Sequence, residues 1–429
     1  MNGVRTGSTY ERLRRATLDQ MARRGLDVAD SAAVLGLIRG VVADYEASAS
    51  AGSVGRPLGD PSAMVDRLAR SVFEFGPLTP FLDGSLRYEE LIIHGEEVSY
   101  VDDAGRLIAH SEPVSEEEVA HVVAKLLASV GATADELHPV VQTQILGGSA
   151  RLGVVLPLIA ERIDVTIRRD RTRRETLAEL VEWESLTKVA ASFLSVLLAV
   201  PTGVIVTGQP GSGKTTLLNA MLRSAPSTRR VIVCEDTPEL STDHLHAARW
   251  RTRTAGPEGV GEVSLRDLVR MSLGMRPDLV VIGETRGGEA YELTRAGNAG
   301  CGMLSTIHAN GARQGLMALI STATMSGTNV TAEQMRHVFS SIVDVVVHTS
   351  REGGPSGRRQ IAEIVAVPAM QATEHDITVE PIFTRSGSES PLVWTGAPLP
   401  DDLANRIDRG LRHRGFRVED VLEGRVDLL

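Results

Sequence analysis

Residues 208–215 read Gly-Gln-Pro-Gly-Ser-Gly-Lys-Thr, and this G-x-x-x-x-G-K-[ST] run narrows the folds open to the chain more than any other feature. It requires an apolar strand entering it and a helix leaving it. Gly203–Thr207 supplies the strand and Thr216–Leu222 the helix. In that setting the glycines let successive backbone N–H groups converge on an anion with no Cβ in the way. The helix N-terminus adds its partial positive charge. The residues expected to cradle phosphate are Gly208, Pro210, Gly211, Ser212, Gly213, Lys214, Thr215 and Thr216. Lys214 brings a point charge to the β- and γ-phosphates of a nucleotide, and the Thr215 hydroxyl is the expected Mg²⁺ ligand.

From about 185 to 350, apolar strands alternate with helical patterns, which predicts an α/β fold with a parallel, doubly wound sheet. Such a sheet binds ligands beyond the carboxyl ends of its strands. The strand Arg230–Cys234 ends in Glu235-Asp236, Leu279–Gly283 ends in Glu284, and Met303–Ile307 carries Thr306 and ends in His308. Polar groups are therefore delivered to the same rim as the glycine loop. Glu284, after an apolar strand, fits the acid that holds the Mg²⁺ shell through water, so Thr215 and Glu284 form the expected metal set. Glu235 is the candidate general base for an attacking water. His308 admits two readings, a hydrogen-bonded core histidine or a sensor of the terminal phosphate. The segment Arg249-Trp250-Arg251-Thr252-Arg253 reads as a loop whose arginines are either solvated or placed to neutralise a transferred phosphoryl group.

Ahead of this region, residues 63–170 read as an α+β domain. Ala63–Phe75 is an amphipathic helix, and Ser115 with Glu118 forms a capping box opening a helix through Val130. Leu91–His94, Val98–Val101, Leu107–Ala109, Gln142–Ile145, Arg151–Val155 and Ile163–Ile167 read as strands, with a turn at Asp102-Asp103-Ala104-Gly105. Residues 9–47 read as helix, and 48–61, rich in Ser, Gly and Ala, as a flexible linker. The expected division is thus a helical extension and linker over 1–62, the α+β domain over 63–170, the phosphate-binding domain over 171–350 and a C-terminal extension over 351–429. In that extension 361–367 and 377–383 read as strands and 401–415 as a basic helix. The run Arg168-Arg169-Asp170-Arg171-Thr172-Arg173-Arg174 is either a solvated linker or a source of phosphate ligands.

Lys and Arg number 45 against 55 Asp and Glu, a formal net charge of −10, and aromatics make up only 3% of the chain. Both disfavour a reader of single-stranded nucleic acid, which stacks bases on aromatic rings, and no direct nucleic-acid contact is expected. Cys234 and Cys301 read as reduced thiols without metal-ligand spacing. The N-terminus has no apolar signal core, and no run approaches the roughly 18 apolar residues that span a bilayer. The expectation is a cytoplasmic protein that meets the membrane only through partners.

An ordered set of segments resembles the type II/IV secretion ATPase superfamily, in particular the CpaF-like motors of Tad (Flp) pilus assembly. After the glycine loop come Cys234-Glu235-Asp236-Thr237-Pro238-Glu239-Leu240, Leu265-Arg266-Asp267-Leu268 and Met275-Arg276-Pro277-Asp278. Gly283-Glu284-Thr285-Arg286-Gly287-Gly288-Glu289-Ala290 and Ser305-Thr306-Ile307-His308-Ala309-Asn310 complete the set. The resemblance covers about residues 64 to 385. It implies a homo-hexameric ring, with an N-terminal domain over a RecA-like P-loop motor domain and ATP, with Mg²⁺, between them. It makes Glu235 the catalytic base, Glu284 the Walker B glutamate and His308 the histidine of the histidine box. It brings Arg249 and Arg253 to phosphate and places Arg151 and Arg168 of the first domain near the nucleotide. Partners would be the inner-membrane platform proteins of a pilus or secretion machine. One departure is Ala299-Gly300-Cys301-Gly302, where family members usually carry Gly-His ahead of the final motif; Thr285 is a smaller one. Three functions remain open at this point: a pilus or protein-secretion motor, a conjugation-type motor moving DNA or nucleoprotein, and a nucleotide-binding scaffold with little turnover.

Overall fold

The computed structural model describes residues 9–103, 105–169, 175–242, 244, 246–253, 260–326, 329–351, 357–371 and 375–429. The chain forms two compact units divided between residues 170 and 171. Ala104 of the expected turn, residues 170–174 of the basic run and 353–356 of the glycine-rich stretch lie outside the described residues.

In the first unit the expected helix over 9–47 is two helices, Thr9–Arg24 and Ser31–Ser50. The break is local chemistry: Gly25 takes a left-handed φ of 59°, and Asp30 caps the second helix by accepting from the Ala33 N–H. The two helices bury Tyr10, Leu13, Met21, Val34, Ile38 and Val41 against Leu68 and Val72 of the helix Pro61–Phe73. The stretch read as a flexible linker is tied down. Its Arg56 carbonyl accepts from Tyr45 Oη at 2.9 Å, its Leu58 N–H donates to Glu46, and Val54 and Leu58 pack on the helical core.

The rest of this unit is a six-stranded antiparallel sheet made of β1 (Glu90–His94), β2 (Glu97–Val101), β3 (Leu107–Ala109), β4 (Val140–Ile145), β5 (Ala150–Val155) and β6 (Asp164–Arg169), in the order β3-β2-β1-β6-β5-β4. The helix Glu116–Ser129 buries Val119, Val122, Val123, Leu126 and Leu127 on it. Only half of the expected capping box forms. Ser115 Oγ accepts from the Glu118 N–H, but the Glu118 carboxylate is buried at 1% exposure and accepts from Tyr10 Oη instead.

The second unit holds a nine-stranded sheet. Its strands are β7 (Gly203–Gly208), β8 (Val231–Glu235), β9 (Ala247–Arg251), β10 (Leu279–Ile282), β11 (Gly302–His308), β12 (Val345–Arg351), β13 (Arg359–Ala366), β14 (Glu380–Thr384) and β15 (Val393–Trp394). Their order is β15-β14-β13-β12-β7-β11-β10-β8-β9. From β12 to β9 every pairing is parallel; β13 to β15 are added antiparallel. Every residue of β7, β8 and β10 is buried, as a parallel sheet covered on both faces requires. One face carries the helices Lys188–Leu197 and Lys214–Ser224, the other Leu265–Leu273, Glu289–Asn298, Ala312–Ser326 and Ala332–Ile342. This is a RecA-like arrangement. The sequence reading drew a boundary at 350, yet the strands beyond it continue the same sheet and share its core.

Close packing at the centre gives a stability test. A Cβ on Gly315 would stand 2.1 Å from Thr207 Cγ2, whereas one on Gly36, on the exposed side of the helix Ser31–Ser50, meets nothing within 4 Å. Gly315→Ala is expected to destabilise by about 1–3 kcal/mol through overpacking. Gly36→Ala should stabilise by roughly 0.5–1 kcal/mol through lost chain entropy. Thermal denaturation of the two variants checks the opposite signs.

Candidate functional site

The site is built on the carboxyl rim of the parallel strands. β7 ends at Gly208, where a Cβ would stand 2.4 Å from both Ser212 Oγ and Thr349 Oγ1. The loop closes on Gly213, whose φ of 98° only glycine adopts without strain, and Lys214 opens the helix. Two side-chain contacts fix the loop from its flanks. Thr349 Oγ1 donates to the Thr207 carbonyl at 3.0 Å and takes the Ser212 hydroxyl at 2.8 Å. On the other side Gln209 Nε2 donates to Asn310 Oδ1 at 3.1 Å. Thr215 and Thr216 sit half-buried in the first helical turn.

Lys214 is 7% exposed. Its ammonium lies 3.0 Å from the Gln209 carbonyl and 3.0 Å from His308 Nδ1. An ammonium only donates, so His308 Nδ1 accepts and the ring proton sits on Nε2. That nitrogen lies 2.5 Å from Glu284 Oε1. Glu284 Oε2 takes the Arg286 guanidinium at 2.5 Å, and Arg286 also faces Asp236 and Glu239, all of which push its pKa up. Loop, lysine, histidine, glutamate and arginine thus form one connected line from β7 through β11 to β10. His308 resolves toward a rim position: it is exposed, and its ring bridges Lys214 and Glu284.

Glu235 ends β8 and is 3% exposed. Its Oε1 accepts from the N–H groups of Glu239 and Leu240, each at 2.9 Å. Burial pushes its pKa up from 4.5 to about 7, against the lowering pull of those two N–H groups and of Arg249. The arginine segment corrects the sequence reading. Residues 247–251 are not a loop but β9, an edge strand parallel to β8, because alternating half-buried and exposed residues suit an edge. Arg249 is near enough to Glu235 to act on its charge; Arg253 bridges Val263 and lies against Gly261. Arg151 and Arg168 belong to the first unit, where they sit directly opposite each other on β5 and β6. Arg169 is spent on structure, its Nη2 donating to the Phe81 carbonyl at 2.9 Å.

Sequence reasoning missed Arg286, Asn310, Thr349 and His348. Arg286 and Asn310 lie within two residues of Glu284 and His308, a spacing that could have flagged them. Thr349 and His348 reach the site only through the register of β12 on β7, where His348 Nδ1 meets Thr207 Oγ1 at 2.9 Å. As for metal, no group of three or more His, Cys, Asp or Glu among the described residues could hold an ion. The hard oxygens of Thr215 and Glu284 suit Mg²⁺ that takes its remaining ligands from water and from a bound phosphate chain.

A glycine loop at the end of a central strand, with acids following the parallel strands β10 and β8 on the same rim, defines a RecA-like P-loop domain. The chain belongs to the type II/IV secretion system protein family, whose model matches residues 142–378. A Mycobacterium tuberculosis protein named "Putative conjugal transfer protein" is 32% identical over 71% of this chain and 87% of its own length. The conjugal transfer protein TrbB of Rhizobium radiobacter is 25% identical over 68% of this chain and 88% of its own. Among solved structures, the VirB11 ATPase of the Brucella suis type IV secretion system, in complex with sulphate, is 26% identical with a TM-score of 0.37, covering 71% of this chain and 96% of that one.

The raised pKa of Glu235 gives a signed prediction. Between its ordinary 4.5 and about 7, the folded chain keeps a proton that the unfolded chain releases. The stability this contributes is complete below the lower value and is lost as pH rises through the upper one. Glu235→Gln cannot ionise, so its stability relative to wild type should rise by up to about 3 kcal/mol between pH 4 and pH 8. Denaturant titrations at the two pH values check it, and an unchanged difference would contradict the shift.

Proposed function

We propose that the chain is an ATP-hydrolysing motor that drives a secretion or pilus-assembly machine of the cell envelope. The observation that carries the reading is the contiguity of Lys214, His308 and Glu284 with the glycine loop, beside a buried glutamate with a pKa of about 7. A base works best when its pKa lies near the operating pH. On this reading backbone N–H groups of 211–213 and Lys214 hold the β- and γ-phosphates, with Gly208, Pro210, Thr215 and Thr216 completing the cradle. Glu235 takes a proton from the attacking water through Oε2, water oxygen bonds to the γ-phosphorus, and ADP leaves with the bridging oxygen. His308 reports the terminal phosphate to Glu284. Bound Mg²⁺, held by Thr215 and, through water, by Glu284, would neutralise charge on the phosphate oxygens.

The same reading extends to assembly. A homo-hexamer would let Arg249 and Arg253, with Arg151 and Arg168 of the first unit, serve phosphate as charge-neutralising groups. No helix among the described residues is long and apolar enough to cross a membrane, which fits a cytoplasmic motor docked on inner-membrane platform proteins. The cargo has two readings. The sequence motifs favour Tad-type pilus assembly, whereas relatives that bear conjugal transfer names favour a conjugation-type motor.

Steady-state ATPase activity across protein concentration, beside light scattering for mass, tests the motor. Specific activity should rise as hexamers assemble, and a fully active monomer would remove the shared-site reading. Glu235→Gln should lower kcat by about 10²-fold or more, on the order of the contribution of a general base, while ATP still binds. A Glu235→Gln enzyme turning over like wild type would remove Glu235 as the base.

A further inference from the structure

The line from Lys214 to Glu284 occupies only one side of the glycine loop. On the other side stands the hairpin of β12 and β13, whose mouth places Arg351 directly opposite Arg359. Both guanidinium side chains lie against the loop. Arg359 Nε donates to the Gly211 carbonyl at 3.0 Å. A Cβ on Gly211 would stand 3.4 Å from Arg351 Nη1, and one on Gly213 would stand 3.8 Å from Arg359 Cβ. The loop glycines thus leave room for phosphate within the loop and for two arginines outside it.

The strand order gives the site a direction. β7 lies between β12 and β11, and β11 leads on to β10 and β8. The groups suited to the reacting end, His308, Glu284 and Glu235, all stand on the β11-β10-β8 side. A phosphate chain whose terminal group points that way leaves the loop toward β12 and β13 with its nucleoside end. Guanidinium is the side chain best matched to phosphate, through its planar fork of donors.

We propose that Arg351 and Arg359 bind the nucleoside-proximal phosphate of the bound nucleotide, forming a cationic wall across the loop from Lys214. This rests on the nucleotide reading above. Because that phosphate is common to substrate and product, the arginines act on binding rather than on the chemical step.

The test uses the full-length protein with Arg351→Ala, Arg359→Ala and wild type, titrated with ATP, ADP and inorganic tripolyphosphate. Arg351→Ala keeps the Arg359 bond to the loop, so it separates ligand binding from loop support. Each variant should bind ATP and ADP about tenfold or more weakly, as expected for a lost charged hydrogen bond. Tripolyphosphate should weaken too, and KM for ATP should rise by more than kcat falls. Unchanged ADP affinity in Arg351→Ala overturns the proposal, as does a loss seen with ADP but not with tripolyphosphate, or one confined to kcat. A wild-type protein that binds neither ATP nor ADP would instead overturn the nucleotide reading itself.

Discussion

The second unit is organised around a buried ammonium. Moving a cation out of water is costly by several kcal/mol unless acceptors meet it, and Lys214 meets a loop carbonyl and an imidazole nitrogen. Each contact constrains more of the structure. The bond to Gln209 bends the loop back on its own helix. The bond to His308 fixes which ring nitrogen carries the proton, and that nitrogen lies 2.5 Å from Glu284 Oε1. Glu284 in turn orders Arg286, which faces the acids after β8. One charge placed at a helix start therefore sets the orientation of side chains on three strands.

That arrangement is feasible because the sheet leaves polar groups nowhere else to go. β7, β8 and β10 are sealed on both faces, so charge can appear only where the strands stop. Parallel pairing makes β7, β11, β10 and β8 stop on the same rim. The flanking β12 contributes differently. Through Thr349 and His348 it holds the last residues of β7, and through its hairpin with β13 it brings Arg359 to the loop. The antiparallel strands past residue 350 are thus part of the framework of the loop.

The parts legible in the sequence are those governed by one local rule. Apolar runs of four to six residues marked the buried strands, and the glycine-lysine run marked the turn between β7 and its helix. Strand ends then pointed to Glu235, Glu284 and His308. What escaped depends on register or on partners distant in sequence. β9 alternates half-buried and exposed residues and looked like a loop because its polar side faces away from the sheet core. Thr349 and Arg359 lie 137 and 148 residues from the loop atoms they touch, a distance no local pattern spans. Glu118 looked like a helix cap until Tyr10, 108 residues away, claimed its carboxylate. The helix break at Gly25 was legible in principle, since a glycine followed by Asp30 is a stop and a start.

The two glutamates on the rim show how environment divides labour between identical groups. Glu284 engages both of its oxygens, one with His308 and one with Arg286, and its side chain keeps 23% exposure. It is suited to hold position and to pass on the state of His308. Glu235 is deeper, commits only Oε1 to the backbone, and has burial rather than a cation as the largest influence on its proton. On the proposed reading this separation is what lets one acid accept a proton near neutral pH while the other stays fixed. On the proposed reading, exchanging the two environments would disable the chemistry, because a carboxylate paired with a guanidinium keeps its charge and is a poorer proton acceptor. The identity of the site therefore resides in the strands that carry the acids, β8 and β10, as much as in the acids.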